Sequence, residues 1–250
     1  NCTKNNSYLI EKLMVAIGKI LVAVLLVVAV FAQTNKKGFG CSDTKGCSNA
    51  TLIALGVGWW YNWNSVPDVN TSVTYIPMCF SARRVPGIPA GNSVLLGFNE
   101  PDNSNQANMT VAEASNLWPS LTPLTAKIVS PAMAGNPLTS GSWLEQFRDN
   151  GLKFDAVAVH WYKGANATKF ISDITAIYNK FNKPIWVTEF APQTTSSAAL
   201  DPFKYSQANV TSFINTVVSW MNNQSFVAAY AWHTSNNGTS LLHNTDGTLT

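Results

Sequence analysis

The sequence predicts a compact α/β fold, a (β/α)8 barrel of the TIM type with parallel strands and some helices short or missing. Three observations carry that prediction. Eight short, nearly continuous apolar runs recur along the chain, loops or helical patterns separate them, and several runs end in a polar or aromatic cluster. Strands that are apolar throughout are buried on both faces, the habit of a parallel sheet covered by helices. The composition suits one ordered domain. The chain has 250 residues, of which 46% are hydrophobic and 12% charged, so it can bury a sizeable core and is not a disordered segment.

The runs are Lys37–Cys41, Val57–Trp60, Val73–Met78, Val94–Phe98, Lys127–Val129, Phe154–Val159, Pro184–Val187 and Phe226–Ala231. Between them, Thr110 and Glu113 form a T-x-x-E capping box ahead of Ala114, Leu117 and Leu121. Ser142 and Glu145 repeat the pattern as S-x-x-E ahead of Phe147. Thr168 opens a helix with Ile171, Ile174, Tyr178 and Phe181 on one face, and Phe213 to Met221 mark another. The interval from Trp60 to Val73 has little helical periodicity, so the barrel is expected to be loop-rich there.

The domain is placed at residues 33–250. Ahead of it, a lysine-bearing segment from Met14 leads into a thirteen-residue apolar run, Ile20 to Ala32. That pattern describes a signal peptide, Met14–Ala32, preceded by upstream residues; the alternative is a retained N-terminal anchor. The run is short for a membrane span, which needs about twenty apolar residues. The expected location is therefore secreted, extracellular or in a cell wall, with no membrane partner after cleavage. Lys4, Lys12, Lys19 and Glu11 account for +2 of the net charge of +3, which leaves the domain near neutral. A near-neutral domain argues against nucleic acid as a partner.

Export would make Cys41, Cys47 and Cys79 candidates for one disulfide and a free thiol. Cys41 and Cys47 are closest in sequence, but spacing leaves the pairing open. Glycosylation sequons stand at Asn49, Asn70, Asn108, Asn166, Asn209, Asn223 and Asn237.

In a parallel barrel, chemistry gathers where the strands end at their C-terminal side. The fourth run ends in Asn99-Glu100-Pro101-Asp102 and the seventh in Thr188-Glu189-Phe190. The sixth ends in His160-Trp161-Tyr162, the second in Tyr61-Asn62-Trp63 and the eighth in Trp232-His233. Only four glutamates follow residue 32, and Glu113 and Glu145 are explained as helix caps. Glu100 and Glu189 remain, directly after apolar strands, where a carboxylate is costly without partners. Two such carboxylates facing one aromatic mouth form the constellation of glycoside hydrolysis, with one protonated to release the leaving oxygen and one ionised to attack. That chemistry calls for no metal and no cofactor.

The segments WWYNWN, LLGFNEPD, QANMT, VSPA, FDAVAVHWY and PIWVTEF, in this order from about Lys37 onward, resemble glycoside hydrolase family 128. The resemblance implies a β-1,3-glucanase with a compact barrel, a β-glucan polysaccharide as substrate, and a retaining double displacement. It implies Glu100 as acid/base, Glu189 as nucleophile and Asn99 as the ligand of the sugar 2-hydroxyl. Tyr61, Asn62, His160, Trp161, Tyr162 and Trp232 would line the glucan cleft. Successive strand side chains alternate faces, so at least one of Trp161 and Tyr162 must enter the barrel wall. His160 suits either a core histidine or a substrate ligand.

The chain departs from the family pattern at Pro77–Phe80, where an aromatic such as Trp is expected, and at His233-Thr234, where Phe or Tyr is usual. The resemblance also leads one to expect a final helix after TDGTLT to be missing. Two other readings remain open: a non-catalytic glycan-binding protein on the same barrel, and a retaining hydrolase of another β-glucan. The protein is expected to act as a monomer.

Overall fold

A computed structural model describes residues 36–192, 203–233, 238–244 and 248–250. The segment read as a signal peptide and the sequon at Asn237 lie outside these residues. No helix among the described residues is long and apolar enough to cross a membrane.

Each of the eight apolar runs overlaps a strand: β1 Lys37–Gly40, β2 Trp59–Tyr61, β3 Thr74–Tyr75, β4 Leu95–Leu96, β5 Ile128–Val129, β6 Val157–Trp161, β7 Ile185–Phe190 and β8 Val227–His233; β2, β6, β7 and β8 extend past the ends of their runs. Six of them form a parallel sheet in the order β3-β2-β1-β8-β7-β6, and β4 pairs with β5. Parallel bridges from Met78 to Leu96 and from Val129 to Ala156 link that pair to the larger sheet on either side. Backbone bonds flank both bridges, Leu96 N–H to the Pro77 carbonyl at 2.9 Å and Asp155 N–H to the Ile128 carbonyl at 2.8 Å. The hydrogen-bonded order therefore follows the chain from β1 to β8 and returns to β1, the arrangement of the predicted barrel.

Alternation along the strands sorts the core into two layers. Trp59, Tyr61, Met78, Leu96, Ala158 and Ala231 pack inside the ring. Trp60, Leu95, Val157, Trp161, Phe190 and Trp232 face outward against the helices. The interior takes two large rings, Trp59 and Tyr61, because β1 contributes glycines beside them. A Cβ on Gly38 would lie 2.3 Å from the Trp59 ring, and one on Gly40 would lie 2.9 Å from the Tyr61 ring.

The helices are α1 Asn49–Ala54, α2 Val111–Leu121, α3 Trp143–Asp149, α4 Ala167–Phe181 and α5 Gln207–Asn223. The Thr110–Glu113 capping box is complete at α2, with reciprocal bonds of 3.1 and 2.8 Å. At α3 only half of the box forms. Ser142 accepts from Glu145 N–H, but the Glu145 carboxylate reaches back to Gly141 N–H at 2.8 Å and pairs with Lys180. Helix α4 starts before Thr168, because the Asn166 side chain caps it by accepting from Lys169 N–H. Between β2 and β3 there is no helix, as the weak periodicity predicted. Cys41 and Cys47 form the disulfide, which settles the open pairing, and Cys79 is a buried free thiol.

Candidate active site

Each strand that ends at the mouth delivers its last residues in a specific direction. On β6, alternation sends His160 inward and Trp161 outward, and Tyr162 returns to the mouth. On β7 the alternation is broken. Val187 pairs with Tyr230 and Phe190 with Trp232, so three steps along β7 match two along β8. Against β6 the same extra residue lies between Trp186 and Glu189. Val187 and Phe190 both face the outer layer, and the bulge between them turns Glu189 into the mouth.

The buried Glu189 carboxylate is surrounded by donors. Trp63 donates its indole N–H to Oε1 at 2.7 Å, and Tyr162 its hydroxyl to Oε2 at 2.5 Å. The Tyr61 hydroxyl lies 3.2 Å from Oε1 and 3.0 Å from the Thr188 carbonyl. His160 Nδ1 is 3.4 Å from Oε2. Burial opposes ionisation of Glu189, but the nearby His160 and His233, with the bonds from Tyr162 and Trp63, outweigh it and hold its pKa below the usual 4.5. Burial and the charge of Glu189 push the Tyr61 and Tyr162 phenols well above their ordinary range, so both stay protonated donors.

Glu100 follows β4 in a left-handed backbone conformation, φ 45°. A non-glycine residue in this region is held there by its surroundings. Glu100 N–H donates to the Ala132 carbonyl at 2.8 Å, and Asn103 N–H to the Glu100 carbonyl at 3.0 Å. Asp102 accepts from Ala134 and Gly135 N–H at 2.9 and 2.8 Å, which ties this turn to the loop after β5. The Glu100 side chain is engaged at both oxygens. Oε1 is 2.9 Å from His160 Nδ1, and Oε2 accepts from Asn103 Nδ2 at 3.0 Å.

His160 thus bridges the two carboxylates, with its side chain only 1% exposed. Toward the ionised Glu189 carboxylate, which only accepts, Nδ1 carries the proton. Burial disfavours the imidazolium, yet the charge of Glu189 and the bond and charge of Glu100 raise its pKa above 6.5. One ligating atom from each of Glu100, His160 and Glu189 comes within 4.8 Å of the others. The donors crowded on Glu189 and the proton on His160 fit a hydrogen-bonded carboxylate better than a cation cage.

Of the residues predicted for the site, Glu100, Glu189, His160, Tyr61 and Tyr162 meet here. Asn99 is buried beside Glu100 and donates to Gln106 at 3.2 Å. Asn62 touches neither carboxylate. It accepts from the Tyr75 hydroxyl at 2.6 Å and donates to the Val66 carbonyl, bracing the loop that carries Trp63. Trp161 and Trp232 are not brought to the mouth. Trp161 stacks on Phe213 and donates to Asp173 at 3.1 Å, and Trp232 packs on Phe190 and donates to the Ser240 carbonyl. Both stand at outward positions of their strands, so alternation aims them at the helices.

Trp63, His233 and Asn103 complete the site and were not among the predicted residues. His233 lies edge-on to the Trp63 and Tyr162 rings, with centroids 5.4 and 5.6 Å away. The signal for Trp63 was its place in WWYNW, but its φ of 62° lies outside any strand periodicity.

A family model described as a glycosyl hydrolase catalytic core matches residues 38–250. A family 128 (subgroup I) endo-β-1,3-glucanase from Amycolatopsis mediterranei, solved in complex with laminaritriose, is 31% identical with a TM-score of 0.73. The match covers 85% of this chain and 97% of that one. A family 128 (subgroup II) endo-β-1,3-glucanase from Sorangium cellulosum is 27% identical with a TM-score of 0.67, over 86% and 94% of the two chains. Alkali-sensitive linkage protein 1 of Schizosaccharomyces pombe is 28% identical over 194 residues, 72% of this chain. The matched region is 35% of that relative, so the chain spans about a third of its length.

Proposed function

Because the chain belongs to glycoside hydrolase family 128, we propose that it cleaves β-1,3-glucan internally with net retention, using Glu189 as nucleophile and Glu100 as acid/base. The observation that carries this reading is the approach of the two carboxylates to within 4.8 Å. Retaining glycosidases hold theirs about 5–5.5 Å apart, and inverting ones leave about 6.5–9.5 Å for a water.

The surroundings divide the roles. Glu189, held ionised by Trp63, Tyr162 and His160, attacks the anomeric carbon. Glu100 passes its proton to the glycosidic oxygen, which leaves as a hydroxyl. His160 stands between them and moderates the repulsion of two acids in one pocket. A covalent glycosyl-enzyme results; Glu100 then takes a proton from the incoming water, the C–O bond to Glu189 breaks, and both residues return to their starting states. Asn99 would bind the 2-hydroxyl of the sugar under attack.

The disulfide supports a secreted location, since such bonds persist in oxidising compartments. The six sequon asparagines within the described residues are all exposed, as glycan acceptors must be. Proton NMR of laminarihexaose hydrolysis, recorded before mutarotation, tests the function. The β-anomer should appear first, and Glu189→Gln should abolish turnover. First appearance of the α-anomer, or turnover surviving in Glu189→Gln, would overturn the mechanism. Failure of the wild type to cleave laminarin while still binding it would favour a glycan-binding role, and cleavage of another β-glucan alone would reassign the substrate.

A further inference from the structure

Behind the mouth, on α4, Asp173 carries a charge at a buried position, 8% exposed. Its oxygens accept from Trp161 Nε1 at 3.1 Å and from Lys163 Nζ at 3.0 Å, with Lys169 Nζ at 3.3 Å on the other oxygen. Trp161 and Lys163 are the two chain neighbours of Tyr162, the residue whose hydroxyl donates to Glu189 Oε2. We propose that Asp173 is a positioning residue for Glu189, gripping the chain on both sides of Tyr162 so that the phenol is held against the carboxylate. The proposal deepens the assignment of Glu189 as nucleophile and rests on it for its catalytic meaning.

Two features favour this over a simple helix–strand tether. The grip falls on Trp161 and Lys163, the residues on either side of Tyr162. The tether also carries charge into the interior, where a buried carboxylate is costly unless several donors meet it. Burial opposes its ionisation, but Lys163, Trp161 and Lys169 together hold the Asp173 carboxyl below its ordinary range. Asp173 is therefore an ionised acceptor at neutral pH.

The test reads the protonation midpoint of Glu189 directly, by 13C NMR of protein labelled at the glutamate carboxyl carbon. The chain has only five glutamates, and Glu189→Gln identifies the signal. His160, His233, Tyr61, Tyr162 and Glu100 face Glu189, and all are unchanged in Asp173→Ala. Losing the charge of Asp173 and leaving Lys163 unpaired would by themselves lower the midpoint. Loosening the Tyr162 bond should raise it, by about half a pH unit or more. A rise in Asp173→Ala that is absent in a Tyr162→Phe background supports the proposal. No change, a fall, or an equal rise in both backgrounds overturns it. Asp173→Asn keeps an oxygen for Trp161 and loses the ion pairs; it serves in the same cycle if Asp173→Ala does not fold. The midpoint needs no turnover, so the outcome is separate from whether the protein hydrolyses glucan. Where it does, the acidic limb of kcat/KM should follow.

Discussion

Glu189 and Glu100 are chemically identical, and their neighbours separate them. Glu189 is met by an indole N–H, two phenols and an imidazole, whereas Glu100 has the amide of Asn103 and the same imidazole. His160→Gln removes the strongest cationic influence on Glu189, so the Glu189 pKa should climb. Activity that depends on ionised Glu189 falls as pH drops through that value, and the acidic limb of kcat/KM should move to higher pH. Glu100→Ala should lower kcat about 10^2–10^4-fold on natural glucan, the usual contribution of a positioned acid. On an activated aryl β-glucoside, whose leaving group departs without a proton, added azide should restore turnover as a β-glycosyl azide, since an external nucleophile needs no general base. At this scale the sequence was informative about acids and poor about their partners. Four glutamates, two of them explained as caps, left a short choice. Trp63 and His233 come from a loop and a strand end, and their approach to Glu189 depends on backbone directions that no local pattern states.

Among the elements, β7 decides the most. Strict alternation from Val187 would aim Glu189 at the helices; the extra residue before Phe190 reverses its face. Apolar content located this strand, but one bulged residue leaves no mark in composition, which explains why the cleft-facing residues were harder to read than the strand itself. The same alternation sends Trp161 and Trp232 outward, where aromatic bulk fills the strand–helix layer. On β1 the glycines matter because the interior is already occupied. Gly38→Ala places a Cβ against the Trp59 ring. It should destabilise the protein by about 1–3 kcal/mol, visible as a lowered Tm in thermal melts. Thr110→Ala opens the complete capping box of α2 and should cost about 0.5–2 kcal/mol, measured the same way, without changing kcat.

For the whole molecule, the ring of strands converts positions far apart in the chain into neighbours. Glu100 and Glu189 come from β4 and β7, and His160 from β6 between them in the chain. Their coupling gives stability a pH window. Glu189 has a depressed folded pKa, so its contribution is full above 4.5 and lost as pH falls through the folded value. His160 has a raised one, so its contribution is full below 6.5 and lost as pH rises through the folded value. Both are present between about pH 4.5 and 6.5. Relative to Glu189→Gln, the wild type should gain most Tm in that interval, and calorimetry across pH checks it. Reducing Cys41–Cys47 reopens a short loop at the end of β1 and should cost about 2 kcal/mol, seen as a lower Tm in reductant.

By itself the sequence determined the eight strands, the parallel arrangement and the family, and it singled out the two candidate acids, because apolar periodicity, capping boxes and strand-end motifs are local and survive in one dimension. The face that Glu189 takes, the outward turn of Trp161 and Trp232 and the pairing of Cys41 with Cys47 were decided only in the tertiary structure. Each depends on where a side chain points once its strand has neighbours on both sides, and direction in space is set by packing between segments that the chain keeps far apart.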